Sequence, residues 1–272
     1  DKISTSRNWA VWVSEFLANN PDGSDPMRYV LTSIMPEQKD SEFTWNDYRD
    51  RINNELADVL GNFVNRVLVL TRKYYEGAVP DISEAPKLTE VDTSLIKELE
   101  TASAKIGDLI SRFRFREAQL EAMNIARRGN KYLTEEEPWK LQKTDPARVE
   151  VIMHLACQVV GNLGILLEPF LPRTAAKISV SFGVEGSLWN DSSPSLVKPG
   201  TILGDLPILF SKIEVETVEA EIAKLGDKNS DVNTNDNLDK KSNIMPQKDP
   251  TTFDNFTSMD LRVATVTECV PI

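Results

Sequence analysis

The chain has 272 residues, enough for about two ordinary domains or one large helical domain with extensions. Its 42 acidic residues outnumber 31 basic ones, and the net charge of −11 argues globally against a nucleic-acid partner. A single histidine leaves no His-based triad or metal cluster. Two cysteines in unlike contexts, Cys157 and Cys269, give neither a disulfide framework nor a zinc ribbon.

The first 40 residues mix short apolar runs with turn signals such as Asn20-Pro21-Asp22-Gly23. Over residues 47–75, Ile52, Leu56, Val59, Leu60, Phe63, Val67 and Leu70 form one stripe of a 3.6-residue period, closed by Gly77 and Pro80. A second helix is expected from about Thr89, with Val91, Leu95, Leu99, Ala102, Ile106 and Leu109 on one side. A third is expected over residues 115–128, stopping before Gly129-Asn130, and residues 134–139 read as a loop. Pro146 opens a long apolar helix to Leu167, which Pro169 and Pro172 break before a short helix over residues 173–180. The most apolar run, residues 149–171, is interrupted by Glu150, His154, Gln158, Asn162 and Glu168, so no membrane-crossing helix is expected. The charged N-terminus shows no signal-peptide pattern. Residues 183–210 are rich in Pro, Gly and Ser and read as irregular; residues 214–225 read as a short amphipathic helix on Val215, Val218, Ile222 and Leu225. Residues 226–250 carry few large aliphatics and read as a flexible linker. Strand character returns in the alternating Leu261-Arg-Val-Ala-Thr-Val266.

Three constellations could carry chemistry. The first helix sets Asp58, Asn62, Asn65, Arg66 and Lys73 opposite its apolar stripe, with Asn62 and Arg66 four residues apart and side by side. An amide beside a guanidinium can read the edge of an exposed base; the same spacing also describes a solvated helix face. Residues 111–143 carry eight basic and five acidic residues, a local +3, interleaved with Phe113, Phe115, Tyr132 and Trp139. Basic groups track a phosphate backbone while an aromatic face stacks a splayed base. Trp139 is equally readable as a core residue. Lys2, Ser4 and Ser6, close together at the start, could hold phosphate oxygens. His154 reads as a hydrogen-bonded core histidine. No Gly-rich phosphate loop, paired catalytic carboxylate or nucleophile elbow appears, which disfavours a complete small hydrolase or transferase.

Together these pieces resemble the methionyl-tRNA synthetases. The string KISTS at residues 2–6 resembles the KMSKS loop of class I synthetases, and Asp25-Pro-Met-Arg-Tyr29 resembles the segment that follows it. Residues 53–66, NNELADVLGNFVNR, are similar to the family helix whose exposed Asn and Arg contact the anticodon, which implies that role for Asn62 and Arg66. Residues 130–139 resemble the N-x-Y…P-W segment whose Trp stacks on an anticodon base, which implies Pro138 and Trp139. Leu167-Glu-Pro-Phe-Leu-Pro-Arg-Thr-Ala175 resembles a helix-to-helix join of class I anticodon domains, and Phe253 to Ala264 resembles the opening strand of an appended tRNA-binding OB-fold. Two departures stand out. Thr5 replaces the second signature lysine, and Asp58 stands where a polar residue, commonly Asn, is usual; Asp58 would repel phosphate unless it orients Arg66.

The resemblance implies an all-α anticodon-binding helix bundle over residues 41–225. It is preceded by a KMSKS-like loop and stem-contact segment (1–40) and followed by a flexible linker (226–250) and the truncated start of an OB-fold (251–272). The implied role is recognition of the CAU anticodon of a methionine-accepting tRNA within a methionine–tRNA ligase. Arg127, Arg128 and Lys131 would hold RNA backbone. Lys2, Ser4 and Ser6 would face ATP phosphates in the whole enzyme only, since the nucleotide-binding domain is expected upstream. The implied cofactors are none for this piece, and ATP-Mg and commonly zinc for the parent. A cytoplasmic location, no membrane partner, a monomeric piece and a homodimeric parent are implied as well. The alternatives are the corresponding domain of a leucine, isoleucine, valine or cysteine enzyme, or a helical scaffold that binds an acidic protein through its Arg-rich stretch.

Overall fold

The computed structural model describes residues 10–37, 40–84 and 87–225. All of them lie in the first of two compact units, Asp1–Ser230; the second is Asp231–Ile272. Lys2, Ser4, Ser6, Cys269, the expected linker and the expected OB-fold strand lie outside the described residues. Among the described residues, regular structure is helical apart from one isolated antiparallel bridge, Ala78 to Ile202.

Helices α1 (Val13–Asn19) and α2 (Ser24–Ser33) form from the first segment. Then α3 (Trp45–Arg51), capped by the Thr44 hydroxyl, runs directly into a wide, π-helical segment, Ile52–Gly61, and on into α4 (Asn62–Tyr75). The expected uniform 3.6-residue helix over residues 47–75 is therefore corrected. In the wide turns Leu56 and Ala57 are both buried, while Val59 and, further on, Leu70 of the expected stripe are only half-buried.

Helix α5 (Glu90–Ser111) starts at a reciprocal cap: the Thr89 hydroxyl accepts from the Asp92 N–H at 3.3 Å, and the Asp92 carboxylate accepts from the Thr89 N–H at 2.8 Å. Helix α6 (Phe115–Glu136) passes through Gly129 rather than stopping there. This glycine serves packing: a Cβ on it would come within 2.2 Å of the Phe63 ring of α4. The chain turns instead at Glu137, in the left-handed region at φ 44, and the expected loop at residues 134–139 is helical except at that residue, with Pro138 opening the short α7 (Pro138–Leu141).

Helix α8 (Pro146–Leu166) is the centre of the bundle, packed by α4, α5, α6, α7 and α9 (Pro172–Ser181). By length and composition alone it could cross a membrane, because Arg148 and Glu150 are its only charged residues. From Val149 to Leu166 every residue except the half-buried Glu150 is buried inside the bundle. The buried polar side chains along α8, His154, Gln158 and Asn162, are all hydrogen-bonded. His154 Nδ1 meets the Pro80 carbonyl at 2.8 Å, which matches the core-histidine expectation. Gln158 exchanges two hydrogen bonds with the Val197 backbone at 2.7 and 2.8 Å, and Asn162 donates to the Ser193 carbonyl at 2.8 Å. These bonds pin the irregular segment 183–210 to the core. Cys157 is buried there too, and desolvation pushes its thiol up to about 12 despite the Thr71 hydroxyl beside it.

Two motifs far apart in sequence form one joint. Asp25 of α2 is buried and accepts from the Thr174 N–H at 2.7 Å and its hydroxyl at 2.8 Å, at the N-terminus of α9. Arg28 donates twice to the Pro169 carbonyl, at 2.9 and 3.0 Å. The last helix among the described residues, α10 (Val215–Ala223), follows its expected position, but only Val218 is buried; Val215 and Ile222 are exposed.

Candidate nucleic-acid interface

The first turns of α4 place Asn62 and Asn65 in solvent and Arg66 half-buried beside them. The Arg66 guanidinium carbon lies 5.3 Å from the centre of the Trp139 ring, so α4 and α7, distant in sequence, meet in one stacked pair. Trp139 is 41% exposed, which removes the core-tryptophan alternative. The hydrogen bonds of Arg66 among the described residues are long ones, Nη1 to Asn130 Oδ1 at 3.5 Å and to Thr134 Oγ1 at 3.4 Å. A charged group so loosely held remains able to bond a ligand.

Asn130 enters the sequence reading only within a motif string, yet its Nδ2 donates to the Val59 carbonyl at 2.7 Å. That bond ties α6 to the wide segment just before Asn62. Asp58 pairs with Lys212 at 3.0 Å, an exposed ion pair, and not with Arg66.

A buried polar network sits at the end of α6, just before α7. Asp92, fully buried, accepts from Tyr132 at 2.6 Å and from Arg148 at 2.5 and 2.9 Å, and Arg148 also bonds Glu136 at 2.6 Å. Burial opposes ionisation of Asp92, but the bonds from Arg148, Tyr132 and the Thr89 N–H outweigh it and hold the carboxyl below its usual range. Glu136 is the last residue of α6, next to the left-handed Glu137 and the buried Pro138. The network therefore fixes the point from which α7 presents Trp139. Composition and spacing give no sign of it, because a buried Asp–Arg pair between helices has no local sequence signature.

The expected backbone-binding cations are less free than their number suggests. Arg127 bonds Glu55 at 3.1 Å and Asn124 at 3.0 Å, and Arg128 pairs with Glu98 at 3.1 Å. Lys131 is exposed, with Glu135 at 3.7 Å. Asn62, Arg66, Pro138 and Trp139 are brought together on one ledge; Arg127 and Arg128 are engaged inside the protein. Among the described residues, no group of three or more His, Cys, Asp or Glu side chains is placed to hold a metal ion.

What remains is a part-exposed indole, a planar cation over its ring, and the exposed Asn62 amide one helical turn from that cation. That set can stack an unstacked base and bond its edge, and it lacks a nucleophile–base pair.

Residues 80–230 match the family profile described as the anticodon binding domain of methionyl tRNA ligase, and residues 1–68 match that of class I (M) tRNA synthetases. Proteins of Flavobacterium psychrophilum and Parabacteroides distasonis, each described as methionine–tRNA ligase, are 46% identical over 98% and 100% of this chain. The chain spans 38% and 39% of their length. The structure of free-state Mycobacterium tuberculosis methionyl-tRNA synthetase is similar with a TM-score of 0.64 and 25% identity, over 73% of this chain and 40% of that one. Its complex with methionyl-adenylate gives 0.63 over 71% and 38%, again at 25% identity. With the first profile covering more than half of its residues, and the ledge built from the residues the resemblance singles out, the chain belongs to the anticodon-binding domain family of methionyl-tRNA ligases.

Proposed function

We propose that the helical unit recognises the CAU anticodon of methionine-accepting tRNA, as part of a methionine–tRNA ligase that joins methionine to tRNA using ATP. The observation that carries this is the exposed Arg66–Trp139 stack beside Asn62. Trp139 stacks the first anticodon base, Pro138 holds the indole in place, and Asn62 and Arg66 bond base edges. Asp58 and its partner Lys212 border the site. Lys131, and more weakly Arg127 and Arg128, attract the flanking backbone. ATP-Mg supplies the activated carboxyl chemistry of the whole enzyme, where Lys2, Ser4 and Ser6 would face the phosphates; zinc, common in the family, would be held elsewhere in it. Residues 1–40, 41–225, 226–250 and 251–272 are assigned as stem-contact segment, anticodon domain, linker and OB-fold start, in a cytoplasmic enzyme that dimerises through the OB-fold.

The test is a titration of anticodon hairpins bearing CAU or single-base variants against the wild type and Trp139→Ala, at two salt concentrations. Stacking is worth about 1–3 kcal/mol per base, so Trp139→Ala should weaken CAU binding by about fivefold to about 150-fold, with its melting temperature retained. Equal wild-type affinity for CAU and for a changed first base would sink the recognition claim. ATP–pyrophosphate exchange by this chain alone is expected to be undetectable.

A further inference from the structure

The other end of α6 carries a feature that anticodon recognition does not use. Residues 112–114 between α5 and α6 are all exposed, and Phe113, at 75%, is among the most exposed large apolar residues described. Helix α5 ends there in a Schellman arrangement: the Arg114 N–H bonds the Leu109 carbonyl and the Phe113 N–H bonds the Ile110 carbonyl, both at 2.9 Å. Phe113 occupies the left-handed position at φ 59, where glycine or asparagine is the usual occupant. A bulky aromatic there is strained and gains nothing from burial. Its ring contact among the described residues is with Phe115, edge-on at 6.0 Å.

Arginines flank it. Arg112 pairs with Asp108 at 2.9 Å and Arg114 pairs with Glu117, all four side chains being largely in solvent. Such surface pairs are weak and readily exchanged for phosphate oxygens. Arg116 is used differently. Its N–H meets Glu37 at 2.9 Å and its Nε donates to the Ser33 carbonyl at 3.1 Å, which bolts the turn to the end of α2. From this turn Glu117, Leu120, Asn124, Arg127, Lys131 and Thr134 recur at alternating three- and four-residue steps, one continuous face of α6. The face ends at Thr134, beside Arg66. The length of α6 separates the two ends by about 33 Å. That is too far for the turn to hold the backbone of the same base triplet.

We propose that the Arg112–Phe113–Arg114 turn is a second RNA contact, gripping the sugar–phosphate backbone of a double-helical part of the same tRNA while Trp139 holds the loop. This rests on the anticodon reading above. The arginines meet phosphates, and the Phe113 ring lies against ribose faces in the shallow groove of an A-form helix, where shape rather than sequence is read.

The test compares two RNAs, a full tRNA transcript with a CAU anticodon and the isolated anticodon hairpin. Arg112→Ala/Arg114→Ala should weaken the full tRNA about tenfold, lower the slope of log affinity against log salt by about two, and leave the hairpin within twofold. Phe113→Gly removes the ring at a backbone position suited to glycine. It should keep or raise the melting temperature while weakening the full tRNA about fivefold, a combination that a structural role for Phe113 does not produce. Equal losses on both RNAs overturn the proposal. Unchanged affinity for the full tRNA also overturns it and leaves the turn to a protein partner. A wild type that binds neither RNA removes the anticodon reading itself, and this contact with it.

Discussion

Arg148 and Arg66 both lie close to α7 and are used in opposite ways. Arg148, its side chain 12% exposed, is saturated by two carboxylates and sits between α5, α6 and α8. Arg66 has two long bonds and an indole. A guanidinium that is fully bonded and dehydrated specifies how helices meet; one that is left under-bonded at the surface is available to a ligand. The ledge can keep Arg66 loose because the network beside it is not.

Breaking the network should have the largest effect. Asp92→Ala strands Arg148 against Glu136 alone and leaves Tyr132 without its acceptor, so unfolding in urea should show a loss of about 3–5 kcal/mol. A loss under about 1 kcal/mol would mean that the three-helix joint does not depend on this pair. Gly129→Ala forces a methyl into the Phe63 ring and should cost about 1–3 kcal/mol, partly recovered by Phe63→Leu. No recovery in that double variant would move the strain elsewhere than the α4–α6 contact.

Acid should act on the network in a defined direction. The folded pKa of Asp92 lies below its unfolded value, near about 3.9. The stability it contributes is therefore complete above that value and drains away as pH falls through the lower folded one. Urea midpoints between about pH 5 and 2 should fall more steeply for the wild type than for Asp92→Asn. Parallel curves would remove Asp92 from the acid response. The smallest effect belongs to the loose arginine. Arg66→Lys keeps the charge but not the planar stack, so hairpin affinity should drop about fivefold with stability unchanged within about 0.5 kcal/mol. A stability loss comparable to that of Asp92→Ala would show the two arginines to be alike after all.

The ledge is more legible in the sequence than the joint at the end of α6. Asn62, Arg66 and Trp139 belong to local strings with spacing or flanking prolines to mark them, and the Thr89 cap of α5 and the Pro146 start of α8 follow from short-range rules. The Asp92–Arg148 pair, the Asn130–Val59 tie and the Asp25 cap on α9 each join residues more than fifty positions apart, and nothing in either partner's neighbourhood announces the other. Gly129 shows the reverse failure. A glycine at the end of a periodic stretch reads as a stop, but tertiary packing against Phe63 has a stronger use for its missing side chain. The local +3 is correct as a sum and misleading as free charge, since helix-to-helix pairs consume Arg127 and Arg128.

The wide helical segment Ile52–Gly61 also acts as a rotational spacer. Each of its turns holds roughly one residue more than an α-turn, so the length of this segment sets the angle at which α4 leaves α3. Shortening it by one residue and letting it relax to ordinary helix would swing Asn62 and Arg66 by about 100° around the axis. Both would leave Trp139, although neither had been mutated. A single-residue deletion there would separate the indole from its cation while every side chain of the ledge stayed in the sequence, which makes backbone winding as much a determinant of the site as the residues that compose it.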